Sequence, residues 1–203
     1  MSVIGNFATN GNALDMPGAE LWFLPDWLPE AQADTLFGVL RDVIEWETHR
    51  ISMFGREVDS PRLSSWIGDE GTAYTYSGAR FQPQPWPTAL KEVRERLAQE
   101  LDADFNSVLA NRYRDGRDYM GWHSDNEKTL GVQPVIASLS LGATRRFVLK
   151  HRHDKTRKLT LELPHGSLLV MRGDTQVNYR HALPRTLRPI TERINLTFRH
   201  ILA

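Results

Sequence analysis

Residues 122–131 of this chain of 203 residues read WHSDNEKTLG and set an imidazole, His123, two positions ahead of a carboxylate, Asp125. In an extended segment residues two apart share a face, so the two side chains can reach a common point. His181 is available farther along as a third donor. Two histidines and one carboxylate on one face of an octahedron leave three positions open, an arrangement suited to non-haem Fe(II) that binds a chelating co-substrate and oxygen. A lone His-x-Asp is a weak signal in a chain with 7 histidines, and the plainer reading is two polar residues at a strand end. A rival set, His151-x-His153-Asp154, sits in KHRHDK, where the Lys/Arg-rich surroundings read as a solvated loop.

The segment RINLTFRH is the second place where residue types suggest chemistry. Read as a strand, it turns Arg193, Asn195, Thr197 and Arg199 to one side and Ile194, Leu196 and Phe198 to the other. An ordinary strand with its polar face in water satisfies that pattern. If the strand instead closes a barrel, two guanidiniums in the lumen require an anionic occupant. Six residues of strand span about 20 Å, so a dicarboxylate held at each end by the planar fork of an arginine is a natural fit.

These residues need a frame. From about residue 108 the chain reads as short strands, SVLANRY, VIASLSLG, RRFVLKHR, RKLTLELP, GSLLVMRG, VNYRHAL and RINLTFRHI, most of them bounded by Gly, Pro or Asp. That punctuation predicts a sandwich or barrel of jelly-roll type. Upstream, PEAQADTLFGVLRDVI places Leu36, Phe37, Val39, Leu40, Val43 and Ile44 on one broad stripe, with Pro29 near the start. TALKEVRERLAQELDA spaces Leu90, Val93, Leu97 and Leu101 for a single apolar face. The stretch between these two helices is dense in Gly, Pro, Ser and aromatics and predicts short strands and turns. The fold class is therefore mainly β with flanking helices (α+β). Residues 1–18 read as a flexible arm and 19–203 as one domain, with helices, short strands and turns over 19–107 and the β core over 108–203.

Composition narrows the function classes. Lys+Arg and Asp+Glu are equal at 25 each, yet residues 1–110 hold 8 basic and 17 acidic residues and residues 111–203 hold 17 and 8. A basic half can attract polyanions even in a neutral molecule, although scattered surface charge gives the same count. With Cys 0, disulfides, thiolate metal sites and a cysteine nucleophile are excluded. No apolar run reaches the length of a membrane span and the N-terminus lacks a signal pattern, so a soluble cytoplasmic monomer with no membrane partner is expected.

Taken in order, NRY (111–113), HSD (123–125), His181 and RINLTFR (193–199) resemble the AlkB family of Fe(II)/2-oxoglutarate-dependent nucleic-acid demethylases. WHSDNE, IASLSLGATRRF and HGSLLVM are similar to the members nearest the vertebrate DNA and RNA repair enzymes, and the likeness covers about residues 50–201. The resemblance implies a double-stranded β-helix, with Fe(II), 2-oxoglutarate and O2 as its chemistry. It implies that the domain over 19–203 is catalytic and that 19–107 includes a nucleotide-recognition lid. It implies His123, Asp125 and His181 as iron ligands. Arg193, assisted by Asn111 and Tyr113, would take the distal carboxylate of 2-oxoglutarate, and Arg199 with Asn195 the carboxylate beside the keto group, Thr197 lying between them. The implied reaction hydroxylates an N-methyl group on a base such as 1-methyladenine or 3-methylcytosine, with release of formaldehyde, succinate and carbon dioxide.

The same resemblance implies alkylated DNA as the partner, with RNA, a protein side chain or a non-catalytic damage reader as alternatives. Tyr74 and Tyr76 match the lid that contacts a flipped base, although an alternating strand packed on the core explains two tyrosines equally well. Glu127 matches an acidic position near the base edge. Met53, Phe54 and Gly55 match a hairpin that wedges into duplex DNA, with Arg62 placed to support it, while WHSDNEKTLG is closer to a member favouring single strands. The acidic N-terminal half has no evident basic arm, and the compact loop HRHDKTRKL leaves little extra nucleic-acid surface.

Overall fold

The computed structural model describes residues 12–53, 56–72, 74–76 and 79–202, with the backbone alone over 50–53, 56–57, 74–76 and 79–81. Strands are numbered along the chain. The larger sheet runs, neighbour to neighbour, β1 (Asn12–Ala13), β2 (Glu20–Leu24), β13 (Leu168–Arg172), β10 (Ile136–Gly142), β15 (Arg193–Arg199), β8 (Ser107–Tyr113) and β5 (Leu63–Gly68). The smaller sheet runs β12 (Lys158–Leu163), β11 (Arg145–His151), β14 (Tyr179–Leu183) and β9 (Met120–His123). Every pairing within them is antiparallel. Two hairpins stand apart, β3 (Arg50–Met53) with β4 (Arg56–Asp59) and β6 (Tyr74–Tyr76) with β7 (Ala79–Phe81).

Period-two alternation decides which side of the larger sheet each residue serves. Ala137, Leu139, Leu141, Val108, Ala110, Ile194, Leu196 and Phe198 form one core with the helices α1 (Glu30–Val43) and α2 (Thr88–Leu101). The opposite face contributes Leu21, Trp66, Ile136, Leu169 and Met171 to a second core, completed by Phe147, Leu149, Leu163 and Tyr179 of the smaller sheet. The two sheets therefore face each other, and the helices cover the outside of the larger one. α2 buries Leu90, Val93, Leu97 and Leu101, as its spacing predicts. In α1 the buried set is Ala33, Leu36 and Leu40, whereas Val39 and Val43 are 40% and 54% exposed. The predicted stripe was too wide because a helix packed on one sheet buries only the arc facing it.

β15 is not the solvent-facing strand that alternation alone allows. It lies between β10 and β8, and all seven of its residues are buried. The core sheet also draws β1, β2 and β5 from upstream of residue 108, so its boundary is wider than the strand run in the second half of the sequence. Of the expected arm, residues 1–11 lie outside the described residues. Residues 12–18 are tied down: β1 pairs with β2, Leu14 and Met16 pack on the second core, and the Tyr179 hydroxyl donates to the Pro17 carbonyl at 2.7 Å.

The chain crosses from the larger sheet to the smaller one between β10 and β11, and Gly142 makes that crossing possible. Its φ is +83, and a Cβ there would sit 2.5 Å from the Glu192 carbonyl oxygen. We expect Gly142→Ala to lower the unfolding free energy by about 1–3 kcal/mol. Gly38, helical and with open space around its Cβ position, should respond oppositely, Gly38→Ala gaining roughly 0.5–1 kcal/mol. Urea unfolding of both variants checks the pair of signs.

Candidate metal centre and anion pocket

His123, Asp125 and His181 converge. Their ligand atoms all lie within 4.8 Å of one another, and this is the one such cluster of metal-binding residue types among the described residues. Two strands and one turn bring them together. His181 on β14 is the direct cross-strand partner of His123 on β9, and their rings stand 4.2 Å apart at 66°. β9 is bulged here: between the pairs His181 with His123 and Leu183 with Met120, it holds one more residue than β14. Met120 and His123, three apart, both line the cavity between the sheets. A regular strand would put them on opposite faces, and the extra residue re-aims one of them.

Each donor is prepared by a neighbour. His123 Nδ1 lies 2.8 Å from the Gly121 carbonyl oxygen. A carbonyl only accepts, so Nδ1 carries the proton and the lone pair is on Nε2. The Asp125 backbone N–H donates to Gln176 Oε1 at 2.9 Å, and its Oδ1 accepts from Arg199 Nη2 at 2.8 Å. Ser124, between the two donors, gives its hydroxyl proton to the Tyr179 carbonyl and accepts from Arg152 Nη2. His181 Nε2 and Asp125 Oδ2 are 3.9 Å apart, beyond hydrogen-bond range.

Electrostatics favours the ligand forms. Burial pushes the His181 imidazole down to about 3, helped by His123 beside it and opposed by Asp125. His123 is lowered too, chiefly by burial. Burial works to raise the Asp125 carboxyl, but Arg199 and the two imidazoles override it and the net shift is downward. Two neutral imidazoles and a carboxylate are what a divalent cation requires of its ligands, so the donor set fits non-haem iron.

Beside this cluster lies an anion pocket on the inner face of the larger sheet. A register row crosses four strands as Ser64, Asn111, Asn195 and Ser140, and Tyr113 pairs with Arg193 in the next inward-facing row. Arg193 is 1% exposed, and its Nη2 donates to Ser140 Oγ at 2.9 Å. Its Nε and Nη1 meet no hydrogen-bond partner among the described residues. Burial pulls this guanidinium down to about 10, the Tyr113 phenol beside it working the other way. It stays charged at neutral pH, and a buried cation with free donors calls for an anion. Asn195 donates to Ser138 Oγ and the Leu139 carbonyl, and Thr197 donates to Asn195 Oδ1.

Two contacts bear on the sequence expectations. Asp125 already compensates Arg199 from within the chain, whereas no carboxylate among the described residues meets Arg193. The hairpin tip that Arg62 was expected to support lies outside the described residues. Arg62 itself is buried, and its Nε donates to Asn111 Oδ1 at 2.7 Å. That bond fixes the amide, so Asn111 turns its Nδ2 donors elsewhere. Glu127 is partly buried at the start of the 3-10 turn Lys128–Leu130 and is not among the cavity-lining residues. Tyr74 and Tyr76 lie in β6 and Met53 ends β3, but their side chains, like Phe54 and Gly55 altogether, lie outside the described residues. In the rival histidine cluster, His151 Nδ1 accepts from the backbone N–H groups of His153 and Asp154. It is a turn, as its composition suggested.

Sequence reasoning missed Ser138, Ser140 and Gln176. The serines had a signal: hydroxyls at alternate positions in IASLSLG, otherwise apolar, mark one polar inner face. Gln176, in the short helix α3 (Thr175–Asn178), had none, since its tie to Asp125 spans 51 residues.

The 2OG-Fe(II) oxygenase superfamily model matches residues 20–199. The chain is 38% identical over 183 residues to mouse DNA oxidative demethylase ALKBH2, covering 85% of this chain and 77% of that one. Against the Arabidopsis thaliana protein of the same name it is 37% identical over 211 residues, covering 91% and 67%. It is 33% identical over 186 residues to human alpha-ketoglutarate-dependent dioxygenase alkB homolog 3, covering 87% and 64%. The solved structure of OsALKBH1 superposes with a TM-score of 0.64 at 18% identity, over 92% of this chain and 100% of that one, a likeness of fold.

A pH dependence follows from the buried histidine. Between the ordinary value of 6.5 and about 3, the unfolded chain binds a proton at residue 181 that the folded chain does not. Stability of the metal-free protein should therefore fall as pH drops through that window. His181→Gln should show a shallower slope there, measured by denaturant unfolding at successive pH values. An unchanged slope would place the acid sensitivity in other groups.

Proposed function

We propose that this chain, which belongs to the AlkB family within the 2OG-Fe(II) oxygenase superfamily, is a DNA oxidative demethylase acting on N-alkylated bases such as 1-methyladenine and 3-methylcytosine. Its chemistry is that of an Fe(II)/2-oxoglutarate-dependent dioxygenase. The observation that carries the reading is the convergence of His123, Asp125 and His181 beside the buried, underpartnered guanidinium of Arg193 in one cavity. The ALKBH2 names of its relatives support DNA as the substrate.

Fe(II) with 2-oxoglutarate and O2 supplies the oxygen that hydroxylates the N-methyl carbon, leaving succinate, carbon dioxide and a hydroxymethyl group lost as formaldehyde. The residues of the chain hold that chemistry in place. His123 Nε2, His181 and Asp125 Oδ2 would hold the cation, and Arg199 keeps Asp125 Oδ1 occupied so that one carboxylate oxygen remains for it. Arg193, with Ser140 and Tyr113 beside it, would take the distal carboxylate of 2-oxoglutarate. Asn111, its amide oriented by Arg62, adds a donor to the same pocket. Asp125 and His181 are 3% and 5% exposed, and His123 is partly exposed.

Release of formaldehyde and succinate from oligonucleotides carrying 1-methyladenine or 3-methylcytosine tests the reading. The four DNA substrates, single- and double-stranded, are compared with their RNA equivalents at equal concentration. Absence of turnover on every methylated DNA would sink the substrate class. Arg193→Ala should raise the half-saturating 2-oxoglutarate concentration about 10- to 100-fold, the loss of one charged hydrogen-bond partner. Arg62→Ala should raise it about 3- to 10-fold with kcat kept, as a lost neutral-acceptor bond allows. An equal fall in kcat would show Arg62 to matter for folding instead. Asp125→Ala should abolish Mn(II) binding and, by leaving Arg199 buried and uncompensated, also destabilise by about 3–5 kcal/mol.

A further inference from the structure

The outer face of the smaller sheet carries an arrangement that its own stability does not explain. Lys150 on β11 stands directly across from Lys158 on β12 and from Arg180 on β14. Inward positions on β11 belong to Phe147 and Leu149, so these three side chains point outward in one row. Like charges directly opposite in a sheet destabilise it. Neighbouring cations are compensated: Arg146 faces Glu162 in register, and Arg157 pairs with Asp154 at 3.0 Å. Among the described residues no carboxylate pairs with Lys150, Lys158 or Arg180.

The row continues to the mouth of the cavity. The strand order is β12, β11, β14, β9, and β9 is the edge at which His123 is partly exposed. His123 faces inward there, and the preceding Trp122 is 43% exposed with the Lys150 ammonium 3.9 Å from its ring centroid. An aromatic face and three uncompensated cations thus lead away from the cavity over three strand spacings, about 14 Å. All four strands come from the basic half of the sequence.

We propose that this face is a track for the nucleic-acid strand flanking the target base, with phosphates on Arg180, Lys150 and Lys158 and a neighbouring base stacked on Trp122. The proposal rests on the demethylase reading and adds where the undamaged part of the substrate lies. Repeating anions match the row, and a base supplies the π-face that an exposed indole beside it takes up. An acidic peptide would answer the cations and offer the exposed indole no second π-face.

The test compares wild type, the triple variant Lys150→Gln, Lys158→Gln, Arg180→Gln, and Trp122→Ala. Each is given a 1-methyladenine trinucleotide and a single-stranded 20-mer with the same lesion. For the triple variant, KM on the 20-mer should rise 10-fold or more, and kcat/KM on the trinucleotide should stay within twofold of wild type. The slope of log affinity against log salt for an unmethylated 20-mer, read by fluorescence anisotropy, should fall by about 2, or roughly 0.7 for each phosphate no longer neutralised. Trp122→Ala should weaken 20-mer binding with that slope kept. Unchanged KM and slope in the triple variant, or an equal loss on the trinucleotide, would overturn the track. Displacement of the 20-mer by polyglutamate as readily as by unmethylated DNA of equal charge would overturn it in favour of an acidic-peptide surface. If wild type turned over neither substrate, the demethylase reading would fail, and the anisotropy slopes would still decide the track.

Discussion

Two buried guanidinium groups, those of Arg193 and Arg199, line the cavity inside a β-sandwich, and the rest of the site is arranged around keeping them charged there. Burying an unpaired cation is unfavourable by several kcal/mol in a real protein interior, so each must be answered. Arg199 is answered from within by Asp125. Arg193 is answered only in part, by Ser140 and the Tyr113 ring, and two of its nitrogens meet no acceptor among the described residues. The difference assigns their work. Arg199 orients the Asp125 carboxylate, whereas Arg193 has no carboxylate partner among the described residues. A site of this kind binds its dianion strongly because the protein has already borne the desolvation of the cation.

How much of this was legible in the sequence depends on the distance over which each interaction acts. Seven of the eight strands from Ser107 onward, all but β9, were readable because period-two alternation and turn residues are local signals, and their observed bounds fall within the predicted segments. The division of β15 into Ile194, Leu196 and Phe198 against Arg193, Asn195, Thr197 and Arg199 was equally local. Whether its polar face met water or an interior was not, because that depends on β10 and β8 lying on either side. β2 was missed since ELWFL is short and follows a Gly-rich stretch, and it becomes a strand only by pairing with β13. The bulge in β9 left no mark in MGWH beyond a glycine.

The burial of Arg62 was illegible for the same reason. By sequence it follows the hairpin of Met53, Phe54 and Gly55, and proximity along the chain suggested a shared surface. In the fold, the residue after it begins β5, which lies against β8, so the chain carries Arg62 into the interior beside Asn111. A short transition into the core changes burial within a few residues, and no local signal marks it. The metal-ligand trio was legible across such distances in part: the residues offered His181 as a third donor and set the Lys/Arg-rich His151-x-His153 aside as a loop, and the resemblance joined His181 to His-x-Asp.

Support for the site also reaches it from the start of the chain. The Glu20 backbone N–H donates to Thr175 Oγ1 at 2.9 Å, and the Tyr179 hydroxyl donates to the Pro17 carbonyl, bonds that span 155 and 162 residues. They clamp both ends of α3, the four-residue helix that carries Gln176. Gln176 in turn accepts the Asp125 N–H and gives its Nε2 hydrogen to Met171 Sδ at 3.3 Å. A helix of one turn has too few internal bonds to hold its own shape, so the position of Asp125 is set by strands packed around it rather than by its own loop. Residues 17–24 are thus the outer layer of the metal centre, although nothing in their composition announces chemistry. A side chain that must sit within a fraction of an ångström of a cation is positioned by such chains of fixed neighbours, and here the chain of neighbours runs through the N-terminal strand that local periodicity did not reveal.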